Sequence, residues 1–173
     1  MSASLRPLVL LLPVGVVADQ LSKRWAEDHV RMRGVVTLVP DLLDLRYARN
    51  PGAFFSLGAD LADTPRRVAL IAAGVSILGL MLWMYFRTAT EQVRVRWALA
   101  LLAAGAIGNL VDRVRVGEVV DFVYLHVGAL LHWATFNVAD VLITAGLLLL
   151  GLDLVRPHAH APLAPQPGAN GGH

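Results

Sequence analysis

The chain has 173 residues, of which 56% are hydrophobic and 16% charged, and its mean hydropathy is +0.58. These values exclude an ordinary soluble domain, which is more polar, and they predict one integral-membrane domain over residues 1–156. The formal net charge of +2 is too small to indicate a nucleic-acid partner, and the absence of cysteine excludes thiol nucleophiles, disulfides and thiolate metal sites.

The first apolar segment permits two interpretations. Pro7–Ala18 carries no charge but is short, so it could be the apolar region of a secretory signal peptide that ends near residue 18. The alternative is a membrane span over about residues 7–25 that includes Asp19 and Lys23 in its outer turns. We favour the span, because three further spans follow and a fourth would complete a four-helix bundle.

The connection over residues 27–65 has the pattern of an ordered segment. Val35–Val39 and Leu42–Tyr47 are rich in residues that favour strands, and Asn50–Ala53 has the composition of a turn. Val119–Val127, further along the chain, is another candidate strand. These segments predict a small β-sheet at the membrane surface.

Three strongly apolar segments follow, and a helix needs about 20 mostly apolar residues to cross a bilayer. We place these spans at about residues 68–86, 94–111 and 133–152. The middle one is rich in Ala and Gly, which allow close helix packing in lipid, so it should be the central helix. The tail over residues 157–173 is rich in Pro, Ala and Gly and is predicted to be disordered.

The distribution of positive charge does not settle the orientation. Four spans put both termini on one side of the membrane. If that side is inside, only five of the 15 Lys and Arg residues lie inside, which opposes the positive-inside rule. Acidic residues balance much of the charge outside, but the rule does not count them.

Asp121 and Asp140 are the strongest candidates for chemistry. Asp140 lies within the last apolar run, where a carboxylate costs roughly 2.5–3.5 kcal/mol on insertion scales. Two neighbouring carboxyls cannot both ionise easily, so one becomes a base and the other an acid at the same pH. Such a pair could hydrolyse a peptide bond without a metal or a covalent intermediate. The two residues can meet only if the segment 123–132 folds back.

Other polar residues share helix faces at spacings of three and four positions. These are Asn109, Asp112 and Arg113 on one helix, and Asn137 and Asp140 on the next. Their alternative role is a structural hydrogen-bond network, which we favour for Asp112 and Arg113.

Two further possibilities find little support in the sequence. Ser22 and Lys23 are helix neighbours that do not face each other, so a Ser/Lys hydrolase is disfavoured. His126 and His132 lack a third ligand nearby, so we predict no metal and no cofactor.

Five motifs, taken in order, resemble those of the lipoprotein signal peptidases (signal peptidase II), the aspartyl proteases of the bacterial inner membrane. They cover about residues 7–155 and are DQLSK at Asp19–Lys23, NPGAFFS at Asn50–Ser56, GNLVDR at Gly108–Arg113, VVDF at Val119–Phe122 and FNVAD at Phe136–Asp140. The resemblance implies that Asp121 and Asp140 are catalytic. It implies supporting or substrate-binding roles for Asp19, Lys23, Asn50, Gly108, Asn109, Arg113, Asn137 and Ala139.

The resemblance also implies the architecture and the substrate. The fold would be a four-transmembrane-helix bundle, mainly α, with both termini in the cytoplasm and with a small β-sheet and a short surface helix on the outer side. The substrate would be a diacylated prolipoprotein held in membrane lipid and cut just before its lipidated cysteine, and globomycin would inhibit the enzyme.

Two other classes of function remain open at this stage. One is a proton-coupled transporter that uses the aspartates as a relay, although four spans without an internal repeat are few for a transport path. The other is a membrane assembly factor in which the polar residues only join helices.

Overall fold

The computed structural model describes residues 5–52, 63–128 and 130–155. Four long helices and four strands occupy these ranges. In chain order they are α1 (Arg6–His29), β1 (Val35–Val39), β2 (Leu43–Asn50), α2 (Asp63–Arg87), α3 (Val93–Arg115), β3 (Val119–Val127), β4 (Leu131–His132) and α4 (Val138–Val155).

The strands form one antiparallel sheet in the order β1-β2-β3-β4. The predicted strands Val35–Val39 and Val119–Val127 are confirmed with the same bounds, and the strand predicted over Leu42–Tyr47 is observed from Leu43 to Asn50. In the pairing of β2 with β3, Ala48 lies opposite Asp121. The sheet therefore places Asp121 beside β2, near the ends of the helices.

Helix α3 is the central helix, as its small residues predict, and it packs against α1, α2 and α4. A Cβ atom added at Gly105 would overlap the carbonyl oxygen of Ala139 on α4. One added at Gly108 would lie 3.1 Å from the Cβ of Ala139 and close to the carboxylate of Asp19. These glycines let α1 and α4 approach α3 closely enough for polar side chains on the three helices to meet.

Three helices in the described ranges are long and apolar enough to cross a membrane: Thr64–Arg87 within α2, together with α3 and α4. Helix α1 is equally long but contains more charged residues, including Asp19 and Lys23. Its outward face is nevertheless apolar, with Val14, Val17 and Leu21 each more than half exposed. Exposed apolar surface on this scale is typical of a face that interacts with a membrane or another protein.

The last helix begins at Val138, later than the start at residue 133 that its apolar run predicts. The preceding residues extend the sheet instead, because Trp133 donates to the carbonyl of Leu125 at 2.9 Å and Phe136 bonds to Val123. The described ranges contain no short surface helix of the kind that the motifs imply. The predicted disordered tail and residues 53–56 of the second motif lie outside the described residues.

Candidate active site

A reversal of the chain after β3 brings Asp121 and Asp140 into one site. Gly128 follows the strand with a φ of +52°, a left-handed conformation that favours glycine. The returning segment then pairs with β3, and the backbone N–H groups of Val123 and Phe136 each donate to the other residue's carbonyl at 2.9 Å. The chain thus folds back onto β3, as the meeting of the two aspartates requires, and α4 begins beside Asp121.

Asn137 joins the two aspartates. Its side-chain Oδ1 accepts the backbone N–H of Asp140 at 3.0 Å, while the backbone N–H of Asn137 donates to Oδ2 of Asp140 at 3.2 Å. This reciprocal arrangement is a capping box at the start of α4. The Nδ2 of the same side chain donates to Oδ1 of Asp121 at 2.6 Å. One fully buried asparagine therefore contacts both carboxyl groups.

Two further asparagines complete the hydrogen bonding of the pair. Asn109 on α3 donates from Nδ2 to Oδ1 of Asp140 at 2.9 Å. Asn50, at the end of β2, donates from Nδ2 to Oδ2 of Asp121 at 3.2 Å. The residues that the motifs single out on three separate elements thus meet at one carboxyl pair.

A fully buried ionic cluster lies behind this pair. The Lys23 ammonium contacts Oδ2 of Asp19 and Oδ2 of Asp112, each at 2.8 Å, and donates to Oδ1 of Asn109 at 3.0 Å. Asp19 and Lys23, four residues apart on α1, thus form a fully buried ion pair. Removing an ion from water is costly, and three strong acceptors around one ammonium offset part of that cost.

The cluster also includes Asp112 and Gln20, neither of which is predicted from the sequence as a site residue. Asp112 accepts the backbone N–H of Val120 at 3.1 Å as well as the Lys23 ammonium. Gln20 donates from Nε2 to Oδ1 of Asp112 at 3.0 Å and to the carbonyl of Gly108 at 3.1 Å. The spacing of three residues between Gln20 and Lys23 on α1 was the available signal.

Ala139 takes part through its backbone, because its N–H donates to Oδ1 of Asp19 at 2.9 Å. Its methyl group and Gly108 lie at the contact between α3 and α4. Both positions therefore help to close the helices around the ionic cluster.

The two arginines at the end of α3 point to different partners. Arg113 lies 3.5 Å from the carbonyl oxygens of Asn109 and Gly52, which places it over the site. Arg115 instead pairs with Glu27 at 3.3 Å, outside the site.

Burial raises the pKa of Asp121 from 3.8 to about 6, and the negative charge of Asp140 acts in the same direction. Hydrogen bonds from Asn50 and Asn137, together with the charge of Lys23, oppose the shift. A carboxyl group with this pKa can carry a proton close to neutral pH and can act as a general acid.

Ser22 lies outside this arrangement. Its hydroxyl donates to the backbone carbonyl of Asp19 at 2.8 Å, while the Lys23 ammonium is bound to two carboxylates. The geometry provides no Ser/Lys pair, in agreement with the sequence argument. The fold and the site together are those of a helical membrane protein with two carboxyl groups, both bonded to Asn137, that are suited to acid–base chemistry.

Comparison with known proteins identifies the family. A family model described as signal peptidase (SPase) II matches residues 11–156. The lipoprotein signal peptidase of Syntrophotalea carbinolica is 40% identical over 151 residues, covering 86% of this chain and 91% of the relative. That of Pseudomonas aeruginosa is 40% identical over 141 residues, covering 81% and 82% respectively. A solved bacterial membrane enzyme superposes with a TM-score of 0.74 at 27% identity, covering 86% of this chain and 92% of the other.

The chain therefore belongs to the signal peptidase II family, and the resemblance carried by the five motifs is confirmed. Family membership makes the protein a peptidase of a bacterial membrane. The proton-coupled transporter receives no support from these comparisons.

Proposed function

We propose that this protein is a membrane-embedded aspartyl endopeptidase that removes signal peptides from diacylglyceryl-modified prolipoproteins, cutting before the lipidated cysteine. The observation that carries the proposal is the contact of one buried asparagine, Asn137, with both Asp121 and Asp140. In a membrane assembly factor, polar residues would only join helices. Such a role does not require two carboxyl groups bonded to one asparagine, nor a raised pKa at Asp121.

The chemistry follows from a carboxyl pair that shares one proton. The ionised member takes a proton from a water molecule, and the oxygen of that water attacks the carbonyl carbon of the scissile peptide. The protonated member donates to the carbonyl oxygen as negative charge develops there. Asp121 and Asp140 perform these two tasks, while Asn50, Asn109 and Asn137 orient them.

The membrane placement extends the same proposal. All four helices span the bacterial inner membrane, with both termini in the cytoplasm and the sheet on the outer side. The exposed apolar face of α1 supports a fourth span despite its buried charges, because Asp19 and Lys23 neutralise each other inside the bundle. The carboxyl pair then lies at the outer ends of α3 and α4, near the depth at which a lipidated cysteine enters the bilayer.

We propose that the lipid on the substrate mainly sets the depth of the scissile bond. Each buried CH₂ group contributes about 0.8 kcal/mol, but this term is equal inside and outside the enzyme while the chains remain in lipid. Anchoring instead lowers the entropic cost of alignment. Asn50 and the following turn, closed by the N–H of Gly52 donating to Oδ1 of Asn50 at 3.2 Å, could present backbone groups at that depth.

The direct test is incubation of the purified protein in lipid with a diacylated prolipoprotein and with its non-acylated form at equal membrane density. Since a misplacement of about 1 Å can cost roughly 10²-fold in rate, we expect the non-acylated form to be cut at least about tenfold more slowly. Globomycin should block cleavage of the diacylated form. Absence of cleavage would contradict the proposed function, whereas equal rates for both forms would contradict only the depth argument.

Arg113→Ala should lower cleavage more than Arg115→Ala. Arg113 lies over the site beside Asn109 and Gly52, whereas Arg115 pairs with Glu27 elsewhere on the surface. Misalignment of the site or the substrate should cost roughly 10²-fold in kcat/KM for Arg113→Ala, and Arg115→Ala should remain near wild type. The measurement is the initial cleavage rate of both variants in the same lipid. Equal reductions in rate would show that Arg113 has no specific role in the site.

A further inference from the structure

The surrounding groups dictate the orientation of each asparagine amide in the site. Oδ1 of Asn137 accepts a backbone N–H, Oδ1 of Asn50 accepts another, and Oδ1 of Asn109 accepts from the Lys23 ammonium. A backbone N–H and an ammonium can only donate, so a flipped amide would place donor against donor. Each amide therefore turns its NH₂ group the other way, and each of these groups donates to a carboxyl of the pair.

The two carboxyl groups are nevertheless held unequally. Oδ1 of Asp140 accepts from Nδ2 of Asn109 at 2.9 Å, and its Oδ2 accepts a backbone N–H of the capping box. Asp140 also lies in the first turn of α4, where the helix dipole favours a negative charge. These contacts all stabilise an ionised carboxylate at this position.

Asp121 lies on a strand, without a helix dipole, and is only 3% exposed. Its Oδ1 accepts a short bond from Asn137 at 2.6 Å, but among the described residues its Oδ2 accepts only from Asn50, an exposed residue, at 3.2 Å. The Oδ2 atom is therefore the least satisfied oxygen of the pair when the pair is ionised, and the most favourable position for a proton.

Neighbouring charges on the other elements act unequally on the two carboxyls. The positive charge of Lys23 lowers the pKa of Asp121, but the ammonium is shared with the carboxylates of Asp19 and Asp112, which contact it at 2.8 Å. The positive charge of Arg113 interacts more strongly with Asp140 than with Asp121. Among the described residues, the charged groups around the pair are thus Lys23 with its partner Asp19 on α1, and Asp112 and Arg113 on α3.

We propose that the proton shared by the pair resides on Oδ2 of Asp121, while Asp140 stays negatively charged and is the base that activates water. The inference rests on the proposed function and assigns its two roles. Asp140 takes a proton from water as the new C–O bond forms, and Asp121 gives its proton to the carbonyl oxygen. Asp140 then passes its proton to the leaving nitrogen as the C–N bond breaks, and Asp121 recovers a proton as the carbonyl re-forms.

Carboxyl-carbon NMR of protein labelled with ¹³C in its aspartate side chains tests this assignment without substrate. The two signals are identified by their loss in Asp121→Asn and in Asp140→Asn. We expect the signal that titrates with a midpoint near pH 6 to be that of Asp121. The reverse pattern, or equal movement of both signals, would overturn the assignment. Cleavage does not enter this measurement, so its failure is distinguishable from failure of the proposed function.

Two variants should change the protonation of Asp121 in opposite directions, as measured by its NMR signal. Asn50→Ala removes a donor only from Asp121 and should raise the midpoint of its titration, because the lost bond favours the ionised form. Asn109→Ala removes a donor from Asp140, so the shared proton should move toward Asp140 and the protonated fraction of Asp121 should fall. A change in the same direction in both variants would contradict the proposal. If either variant does not fold, the wild-type titration still decides it.

Discussion

Replacement of either Asp121 or Asp140 by asparagine is expected to abolish cleavage while expression and thermal stability remain near wild type. Asparagine keeps the shape and much of the hydrogen bonding of aspartate, but it cannot exchange a proton. Loss of a general acid or base costs roughly 10²–10⁴ in rate, and more when two groups act as a unit. The measurement is the initial rate of cleavage of a diacylated prolipoprotein by each purified variant.

Asp44→Asn is the matched control for this experiment. Asp44 is another buried aspartate of the same sheet, but it pairs with Arg46 at 2.9 Å and with His126 at 3.3 Å, and within the described ranges it makes no contact with the carboxyl pair. Its replacement should leave cleavage near the wild-type rate. Turnover close to wild type in Asp121→Asn or Asp140→Asn would remove that aspartate from the catalytic role, whatever the control shows.

Lys23→Met is expected to destabilise the fold severely. The ammonium holds the carboxylates of Asp19 and Asp112 at 2.8 Å in a site where all three side chains are fully buried. Removing one partner of a buried ionic group leaves uncompensated charge and costs about 3–5 kcal/mol, although the intact group itself contributes little net stability. Thermal unfolding in detergent micelles, followed by circular dichroism, should show a large fall in Tm or a loss of folded protein.

A surface pair supplies the comparison for Lys23. Arg115→Met breaks the ion pair with Glu27. Both side chains of this pair are partly exposed, and exposed ion pairs contribute about 0–1 kcal/mol to stability. Adding Asp112→Asn to Lys23→Met should recover part of the lost stability, since it removes one of the two orphaned charges. Equal, small changes in Tm for Lys23→Met and Arg115→Met would show that the buried cluster does not stabilise the fold.

Much of this protein follows from its sequence because local patterns carried the information. Continuous apolar runs predicted α2, α3 and α4, and runs of strand-forming residues predicted β1 and β3 with their observed bounds. The concentration of Ala and Gly placed α3 at the centre, because only small residues let neighbouring helices approach so closely. The aspartates stood out because charge is rare in such apolar surroundings, and the order of five motifs identified the family before any fold was known.

Tertiary structure decided how these pieces meet. The late start of α4 at Val138 depends on strand pairing across the reversal at Gly128, which an apolar run cannot reveal. Asp112 looked like a structural helix residue, yet its neighbours include Lys23 from a helix far away in sequence. The roles proposed for Asp121 and Asp140 likewise depend on burial and on hydrogen-bond donors from three separate elements. A sequence specifies which groups are present, but the energy of a charge depends on what surrounds it, and long-range packing alone determines those surroundings.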